Sequence, residues 1–151
     1  MFTGWHHTNI VVSDLDRAVD FHTRILGLEV ASEIVIDDAE FSRGVGIPGT
    51  KVRGAFLEVP GTTTVIELFE YMTSDSRPLP EDARPSDIGV GHICFSVSDI
   101  DAVYEKLSAA GVKFKSSPVT ISKDHPQAGG VRFCYFHDPD GTLLEILQAP
   151  S

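Results

Sequence analysis

The sequence predicts an α+β fold built from two tandem βαβββ modules, and three observations indicate this. The run His7–Asp16 returns as His92–Asp101 at a fixed offset of 85 residues, with His, Val, Ser, Asp and a second Asp at matched positions. An amphipathic stretch ending in glycine follows each copy, and a glutamate inside an apolar run comes later in each half. Matched residues in matched order indicate a duplicated module.

The predicted first module consists of a strand, a helix and three further strands. Its strands are expected at 5–12, 29–36, 52–59 and 63–70, where β-branched and apolar residues concentrate. Ser13 is the expected N-cap of the helix, with Asp14 and Asp16 near its positive end. Apolar residues then recur at helical spacing until Gly27, which is predicted to follow the helix as a C′ glycine.

The predicted second module has the same order of elements. Its strands are expected at 90–97, 112–120, 131–137 and 142–148, and its helix at 99–110, between the cap Ser98 and Gly111. The sequence DPDG at 138–141 predicts a turn that joins the last two strands as a hairpin.

The module boundaries follow from these elements. The first module is expected to span 1–72 and the second 90–151, joined by a connector at 73–89 that contains several prolines and charged residues. The glycine-rich segment 37–54, which carries Arg43, Lys51 and Arg53, is interpreted either as a mobile lid over the substrate or as a solvated loop, and 121–130 is a second such segment.

Charge and composition exclude several classes of partner. The chain of 151 residues has 22 acidic and 12 basic residues, which argues against binding to nucleic acid or an anionic membrane. No apolar run approaches the ~18 residues that a membrane span needs. The start of the chain does not resemble a signal peptide, and Cys94 and Cys134 lack C-x-x-C spacing. We therefore expect a cytoplasmic protein that acts on a small molecule.

Four residues are candidates for chemistry because they recur in duplicate. His7 and His92 stand early in the first strand of each module, and Glu67 and Glu145 stand within apolar runs in the last strands. A carboxylate in such a run is costly to bury unless it is paired or coordinated. Each residue alone has an ordinary structural explanation, but two imidazoles and two carboxylates together suit a divalent metal with open coordination positions. His6 is expected to point away from His7, because side chains alternate along a strand.

These features resemble the vicinal oxygen chelate superfamily, which includes glyoxalase I and methylmalonyl-CoA epimerase. The resemblance covers nearly the whole chain and rests on H-x4-V-S-D-L-D, LGL at 26–28, VIEL at 65–68, GHICFSV at 91–97 and DPDGTLLEI at 138–146. It implies paired βαβββ modules that form a metal-binding cup, and a homodimer. By position, the implied ligands of one divalent ion per site (Zn, Ni, Co, Mn or Fe) are His7, Glu67, His92 and Glu145.

The complete ligand set resembles the proton-transfer branch of that superfamily. The resemblance therefore implies an epimerase or isomerase that removes a proton next to a carbonyl and passes through a metal-bound enediolate. Glu67 and Glu145 are the implied acid–base pair, since the base must stand close to the proton that it takes.

Differences between this sequence and known members of the superfamily narrow the range of substrates that the resemblance implies. Bacterial glyoxalase I has an arginine and an asparagine for glutathione where this chain has Val11 and Tyr71. Methylmalonyl-CoA epimerase has a glutamine at the position of Glu67 and an additional base near Ala55. The resemblance thus favours a keto-sugar or ketocyclitol over an acyl substrate. The alternatives are a glyoxalase I-type lyase and a metal-free binding protein of the bleomycin-resistance type, while a ring-cleaving dioxygenase would require a redox-active metal.

Overall fold

The computed structural model describes residues 1–80 and 82–150, and its contacts divide the chain into two compact units. The first unit is Met1–Pro78 and the second begins at Leu79, a boundary inside the segment 73–89. Each unit contains one four-stranded sheet. Within the described ranges, no helix is long and apolar enough to cross a membrane.

The first unit contains the predicted β-α-β-β-β order with one additional helix. Its elements are β1 (Thr8–Val11), α1 (Leu15–Asp20), β2 (Glu29–Ile36), α2 (Ala39–Val45), β3 (Val52–Glu58) and β4 (Val65–Tyr71). Helix α1 continues into a π-helical turn, Phe21–Ile25, and Gly27 follows at φ 87° as predicted. The sheet order is β1-β4-β3-β2, with β1 parallel to β4 and the other pairs antiparallel.

The second unit repeats this topology. Its elements are β5 (Ile93–Ser96), α3 (Ile100–Ala109), β6 (Val119–Thr120), β7 (Arg132–His137) and β8 (Leu143–Gln148). The sheet order is β5-β8-β7-β6, again with a parallel first pair. Asp138 Oδ1 accepts hydrogen bonds from the amides of Asp140 and Thr142, which confirms the predicted turn between β7 and β8.

The predicted helix caps were wrong by one residue in both units. Asp14 caps α1 by accepting a hydrogen bond from the Arg17 amide, and Asp99 caps α3 by accepting one from Ala102. Ser13 instead accepts a hydrogen bond from the Arg17 guanidinium. Both residue types make good caps, so the local sequence did not distinguish them. Ser98 is likewise displaced from the cap position, since Asp99 occupies it.

Two further expectations about elements were wrong. The segment 37–54 is not entirely a loop, because Asp38 caps the short helix α2, which ends at Gly46 with φ 73°. The strand predicted at 112–120 is confined to Val119–Thr120, apart from a bridge between Phe114 and Phe136. The ring of Phe114 lies between those of Tyr104 and Phe136, with centroid distances of 4.7 and 5.1 Å. This packing takes the place of continuous strand pairing.

The core of each unit lies between its first helix and one face of the sheet. In the first unit Leu15 and Ala18 of α1 are buried together with Ile66 and Leu68 of β4. The buried apolar residues of the second unit are Ile100, Leu107, Cys134, Phe136, Leu143, Leu144 and Ile146. Full burial of a large apolar side chain contributes about 1.5–3 kcal/mol. The opposite face of each sheet carries the predicted glutamates.

The sequence repeat extends to contacts that anchor each helix to its sheet. Arg53 of β3 pairs with Asp16 in the first turn of α1 at 2.7 Å, and Arg132 of β7 pairs with Asp101 of α3 at 2.6 Å. A side chain from the last strand also caps the first helical amide in each unit. Glu70 accepts from Leu15 at 3.2 Å, and Gln148 accepts from Ile100 at 2.9 Å. The two units are therefore duplicates in their contacts as well as in their topology.

Candidate metal centre

The first unit brings together His7 and Glu67, two of the four predicted ligands. The Nε2 atom of His7 lies 3.4 Å from Oε2 of Glu67. Glu67 is only 7% exposed, although it is a carboxylate in the middle of β4. The Asn9 amide group donates a hydrogen bond of 2.9 Å to the same Oε2 atom. The buried carboxylate therefore accepts one hydrogen bond from an amide and faces an imidazole nitrogen, with lone pairs remaining for a cation.

Strand register explains why these side chains meet. Asn9 of β1 and Phe56 of β3 both pair in register with Glu67, so all three lie on one face of the sheet. The Phe56 ring packs edge-on against the His7 ring at a centroid distance of 6.2 Å. Phe69 lies on the same face, two residues beyond Glu67, and packs against Phe41 of α2. The helix that the sequence failed to predict thus covers one end of the face that carries Glu67.

His6 does not point away from His7, contrary to the sequence-based expectation. The two Nδ1 atoms lie 2.7 Å apart, and the rings meet edge-on with centroids 5.0 Å apart. Strand β1 begins at Thr8, so both histidines precede it and strand alternation does not apply. In neutral rings one Nδ1 donates to the other. If His7 donates, its Nε2 atom is left as the free acceptor beside Glu67.

The second unit brings together the other two predicted ligands. The Nε2 atom of His92 lies 2.9 Å from Oε2 of Glu145, and Glu145 is 6% exposed. Cys94 of β5 and Tyr135 of β7 both pair in register with Glu145, so their side chains share its face. The Tyr135 ring packs edge-on against His92 with centroids 5.3 Å apart. The pair is built in the same way as its counterpart in the first unit.

Two neighbours of Glu145 have raised pKa values. Burial, followed by the charge of Glu145 and a hydrogen bond to it, raises the pKa of Cys94 to about 12. The same three causes, in the same order, raise the pKa of Tyr135. Both side chains are therefore protonated at neutral pH, and Cys94 is not an activated nucleophile.

Sequence reasoning missed three neighbours of the predicted ligands: Asn9, Phe56 and Tyr135. Tyr135 of β7 pairs in register with Glu145, and its ring packs against His92. Counting equally from both sides of the 138–141 turn pairs Tyr135 with Leu144, one residue short of its observed partner Glu145, so the sequence alone did not place Tyr135 opposite the glutamate. His22 is buried against the Ala18 carbonyl, and the Nδ1 atom of His137 lies 3.0 Å from the carbonyl oxygen of Gly141.

The donor sets fit a divalent cation. Each unit supplies one imidazole nitrogen and one buried carboxylate oxygen that face each other, a combination suited to Zn, Ni, Co, Mn or Fe. Within residues 1–80 and 82–150, no three His, Cys, Asp or Glu side chains are gathered closely enough to hold a metal. Each unit therefore presents one His–Glu pair.

A cavity of about 590 Å³ lies in the first unit, away from these pairs. It is lined by α2 and its flanking loop, including Asp37, Ser42, Arg43 and Thr50, and by none of the four predicted ligands. Ser42 and Thr50 are buried and hydrogen-bond to each other, since the Thr50 amide donates to the Ser42 hydroxyl at 3.0 Å. The polar groups of its wall are thus satisfied within the chain.

Comparisons with known proteins agree with this architecture. The family model described as the Glyoxalase/Bleomycin resistance protein/Dioxygenase superfamily matches residues 4–146. A 2-epi-5-epi-valiolone epimerase from Actinomyces sp. is 39% identical over 97% of this chain and 79% of its own length. A lactoylglutathione lyase from Pseudomonas aeruginosa is 30% identical over 96% and 82%.

Solved structures show the same fold. A glyoxalase family protein from Bacillus cereus superposes with a TM-score of 0.85 at 22% identity, covering 100% of this chain and 97% of its own. A fosfomycin resistance protein from Listeria monocytogenes, solved with Mn(II) and sulfate, has a TM-score of 0.63 at 23% identity, covering 100% and 95%. With its two tandem modules and a family match over nearly its full length, this chain belongs to the glyoxalase/bleomycin resistance/dioxygenase superfamily, also called the vicinal oxygen chelate superfamily.

Proposed function

We propose that this protein is a divalent-metal-dependent epimerase or isomerase acting on a small keto-sugar or ketocyclitol. One observation carries the proposal: each unit holds a buried glutamate against a histidine at matched positions of the repeat. Burying a carboxylate in the middle of a strand is costly without a function that requires it. The relative named as a 2-epi-5-epi-valiolone epimerase, at 39% identity, supports the substrate class.

In this proposal His7, Glu67, His92 and Glu145 hold the ion. Each unit supplies one His–Glu pair, and the protein is proposed to be a homodimer. The modules are proposed to span 1–72 and 90–151, with the connector at 73–89. The chemistry that a bound divalent ion supplies is polarisation of a carbonyl oxygen, which makes the adjacent C–H bond more acidic.

The protein's own residues perform the proton transfer. One glutamate removes the proton next to the carbonyl, and a proton returned to the other face of that carbon inverts its configuration. Low exposure of both carboxylates limits competition from water. His7 and His92 remain as nitrogen ligands, because neutral imidazole binds such ions without taking part in the proton transfer.

A lyase acting on a glutathione hemithioacetal is the second candidate, because a relative named lactoylglutathione lyase is 30% identical. The position four residues after His7 argues against it. Val11 pairs in register with Phe69, so it lies on the face that carries Glu67. It is 48% exposed and apolar, where glyoxalase I is expected to place an arginine for the glutathione carboxylate.

The test begins with metal content and continues with substrate. Elemental analysis should find about one divalent ion per chain in the wild type and less in His92→Ala. Incubation with 2-epi-5-epi-valiolone in D₂O should place deuterium next to the carbonyl, and Glu67→Gln and Glu145→Gln should abolish most of this exchange. Turnover of the hemithioacetal of glutathione and methylglyoxal would instead support the lyase. Failure to retain any metal, even after soaking with Zn, Ni, Co and Mn, would support a metal-free binding protein.

A further inference from the structure

The side chain of Asn9 turns its amide nitrogen towards Glu67 at two points. Its Nδ2 atom donates a hydrogen bond of 2.9 Å to Oε2 of Glu67 and lies 3.5 Å from the main-chain carbonyl oxygen of the same residue. An amide NH2 group has two hydrogens, so both can be directed at Glu67. The opposite orientation would place the amide oxygen against a carboxylate oxygen, which is repulsive. Glu67 therefore sets the orientation of the Asn9 amide.

The sheet itself does not require this amide. Asn9 is exposed, so its side chain does not fill the core. The residue that matches Asn9 in the repeat is Cys94, which pairs in register with Glu145 as Asn9 pairs with Glu67. Strands β5 and β8 thus pair without an amide side chain at that position. We conclude that the amide of Asn9 serves the carboxylate that it contacts.

The carboxylate oxygen that Asn9 contacts also faces the imidazole. Nε2 of His7 lies 3.4 Å from Oε2 of Glu67. This separation is compatible with two ligands of one zinc ion, whose bonds to nitrogen and oxygen are about 2.0–2.2 Å long. Each carboxylate oxygen has two lone pairs, so Oε2 can accept from Asn9 and bind an ion at the same time. The low exposure of Glu67, 7%, limits competition from water for these lone pairs.

We propose that Asn9 is a positioning residue that holds Oε2 of Glu67 towards the metal ion. This inference rests on the proposed function and deepens it, because it assigns a role to a residue outside the four proposed ligands. A carboxylate that is already ordered by a hydrogen bond loses less conformational freedom when the ion binds. Asn9 thereby raises the metal affinity without contacting the ion.

The experiment measures the metal affinity of the metal-free protein by competition with a chelator, separately for Zn²⁺, Ni²⁺, Co²⁺ and Mn²⁺. Loss of a hydrogen-bond partner of a ligand typically lowers metal affinity about 10–100-fold. Asn9→Leu, which replaces the amide by an apolar group of similar size, should therefore bind the ion at least about tenfold more weakly, and so should Asn9→Ala. Asn9→Gln keeps the donor and should recover most of the lost affinity.

The matched control is Thr8→Val on the same strand. Thr8 precedes Asn9 in β1, and the alternation of side chains places it on the opposite face of the sheet. Thr8→Val removes a polar group of that strand without removing a contact to Glu67, so the metal affinity should stay within about twofold of the wild-type value.

Two double variants test whether the effect depends on Glu67. On a Glu67→Gln background the effect of Asn9→Leu should shrink to about threefold or less, because a hydrogen bond to a neutral acceptor is about half as strong as one to a carboxylate. On a Glu145→Gln background the loss of at least about tenfold should persist, because Glu67 is intact there.

The contrary results separate this inference from the proposed function. An Asn9→Leu protein that binds the ion within about twofold of the wild type would overturn the inference while the proposed function stands, and so would an equal loss in Thr8→Val or in Asn9→Gln. A lower urea midpoint of metal-free Asn9→Leu with unchanged metal affinity would show a merely structural role, which also overturns the inference. A wild-type protein that binds none of the four ions would overturn the proposed function itself, and with it this inference.

Discussion

Substitution of Gly54 by alanine is expected to destabilise the first unit. Gly54 on β3 pairs in register with Phe69 on β4. A Cβ atom at Gly54 would lie 2.6 Å from two ring carbons of Phe69 and 3.2 Å from Ile34 Cγ1. Overpacking of this kind typically costs 1–3 kcal/mol, and the lower entropy of the unfolded alanine chain offsets about 0.4–1 kcal/mol of it. We therefore expect a net loss of about 1–2 kcal/mol.

The assay is urea unfolding followed by far-UV circular dichroism, with Gly44→Ala as the matched control. Gly44 lies in α2, and nothing lies within 4 Å of a Cβ added there. Alanine at that helical position should raise the free energy of unfolding by about 0.5–1 kcal/mol. The two substitutions should thus have opposite signs. A Gly54→Ala protein as stable as the wild type would refute the argument that Phe69 lies tightly over this glycine.

Three further predictions follow from single contacts. Asp14→Ala and Asp99→Ala should each lower the free energy of unfolding in urea by about 0.5–2 kcal/mol, because the aspartates cap the helices. Ser13→Ala and Ser98→Ala should lower it clearly less. Equal losses from serine and aspartate substitutions would contradict the assignment of the caps. Cys134, whose pKa is raised to about 11 mainly by burial, should react slowly with Ellman's reagent at pH 8 until guanidinium unfolds the chain. Its folded-state pKa lies above the ordinary thiol value of 9.0, so the stability due to the buried neutral thiol is present below pH 9 and is lost as the pH rises towards 11. His6→Ala should lower the Zn²⁺ affinity about tenfold, because it removes the partner of His7 Nδ1. The control is Gly91→Ala, at the residue before His92, which should leave the Zn²⁺ affinity unchanged. An unchanged affinity in His6→Ala would show that His6 does not position His7.

Local patterns were sufficient for most of the regular structure. Strand β2 has the bounds that its composition predicts, 29–36, and both first helices end at glycines with positive φ, Gly27 and Gly111. Helix α2 was missed because it is short and contains Gly44, which disfavours a helix. Its stability comes from the Asp38 cap and from Phe41 packing on Phe69, a residue 28 positions further along the chain. A contact between residues so far apart in the sequence cannot be predicted from a short stretch of the chain.

The residues of the candidate site were predictable from the sequence, whereas their contacts depend on the tertiary structure. The duplicated motif identified His7, Glu67, His92 and Glu145, because histidine and glutamate recur at matched positions in both halves. Their pairing within each unit is geometry that the structure adds: β1 lies beside β4 and β5 beside β8, which brings each histidine to its glutamate. The sequence-based orientation of His6 was wrong because it assumed a strand that begins only at Thr8.

The sequence by itself determined the duplicated module, its strands and the chemical types of the four candidate ligands, since these depend on periodicity and on repeated short motifs. Tertiary structure decided which residues lie beside the buried carboxylates. Asn9 and Tyr135 are separated from their glutamates by 58 and 10 residues, and strand register places them on the same face. Register is set by packing across the whole sheet, and it makes one glutamate the neighbour of a phenylalanine and the other the neighbour of a tyrosine.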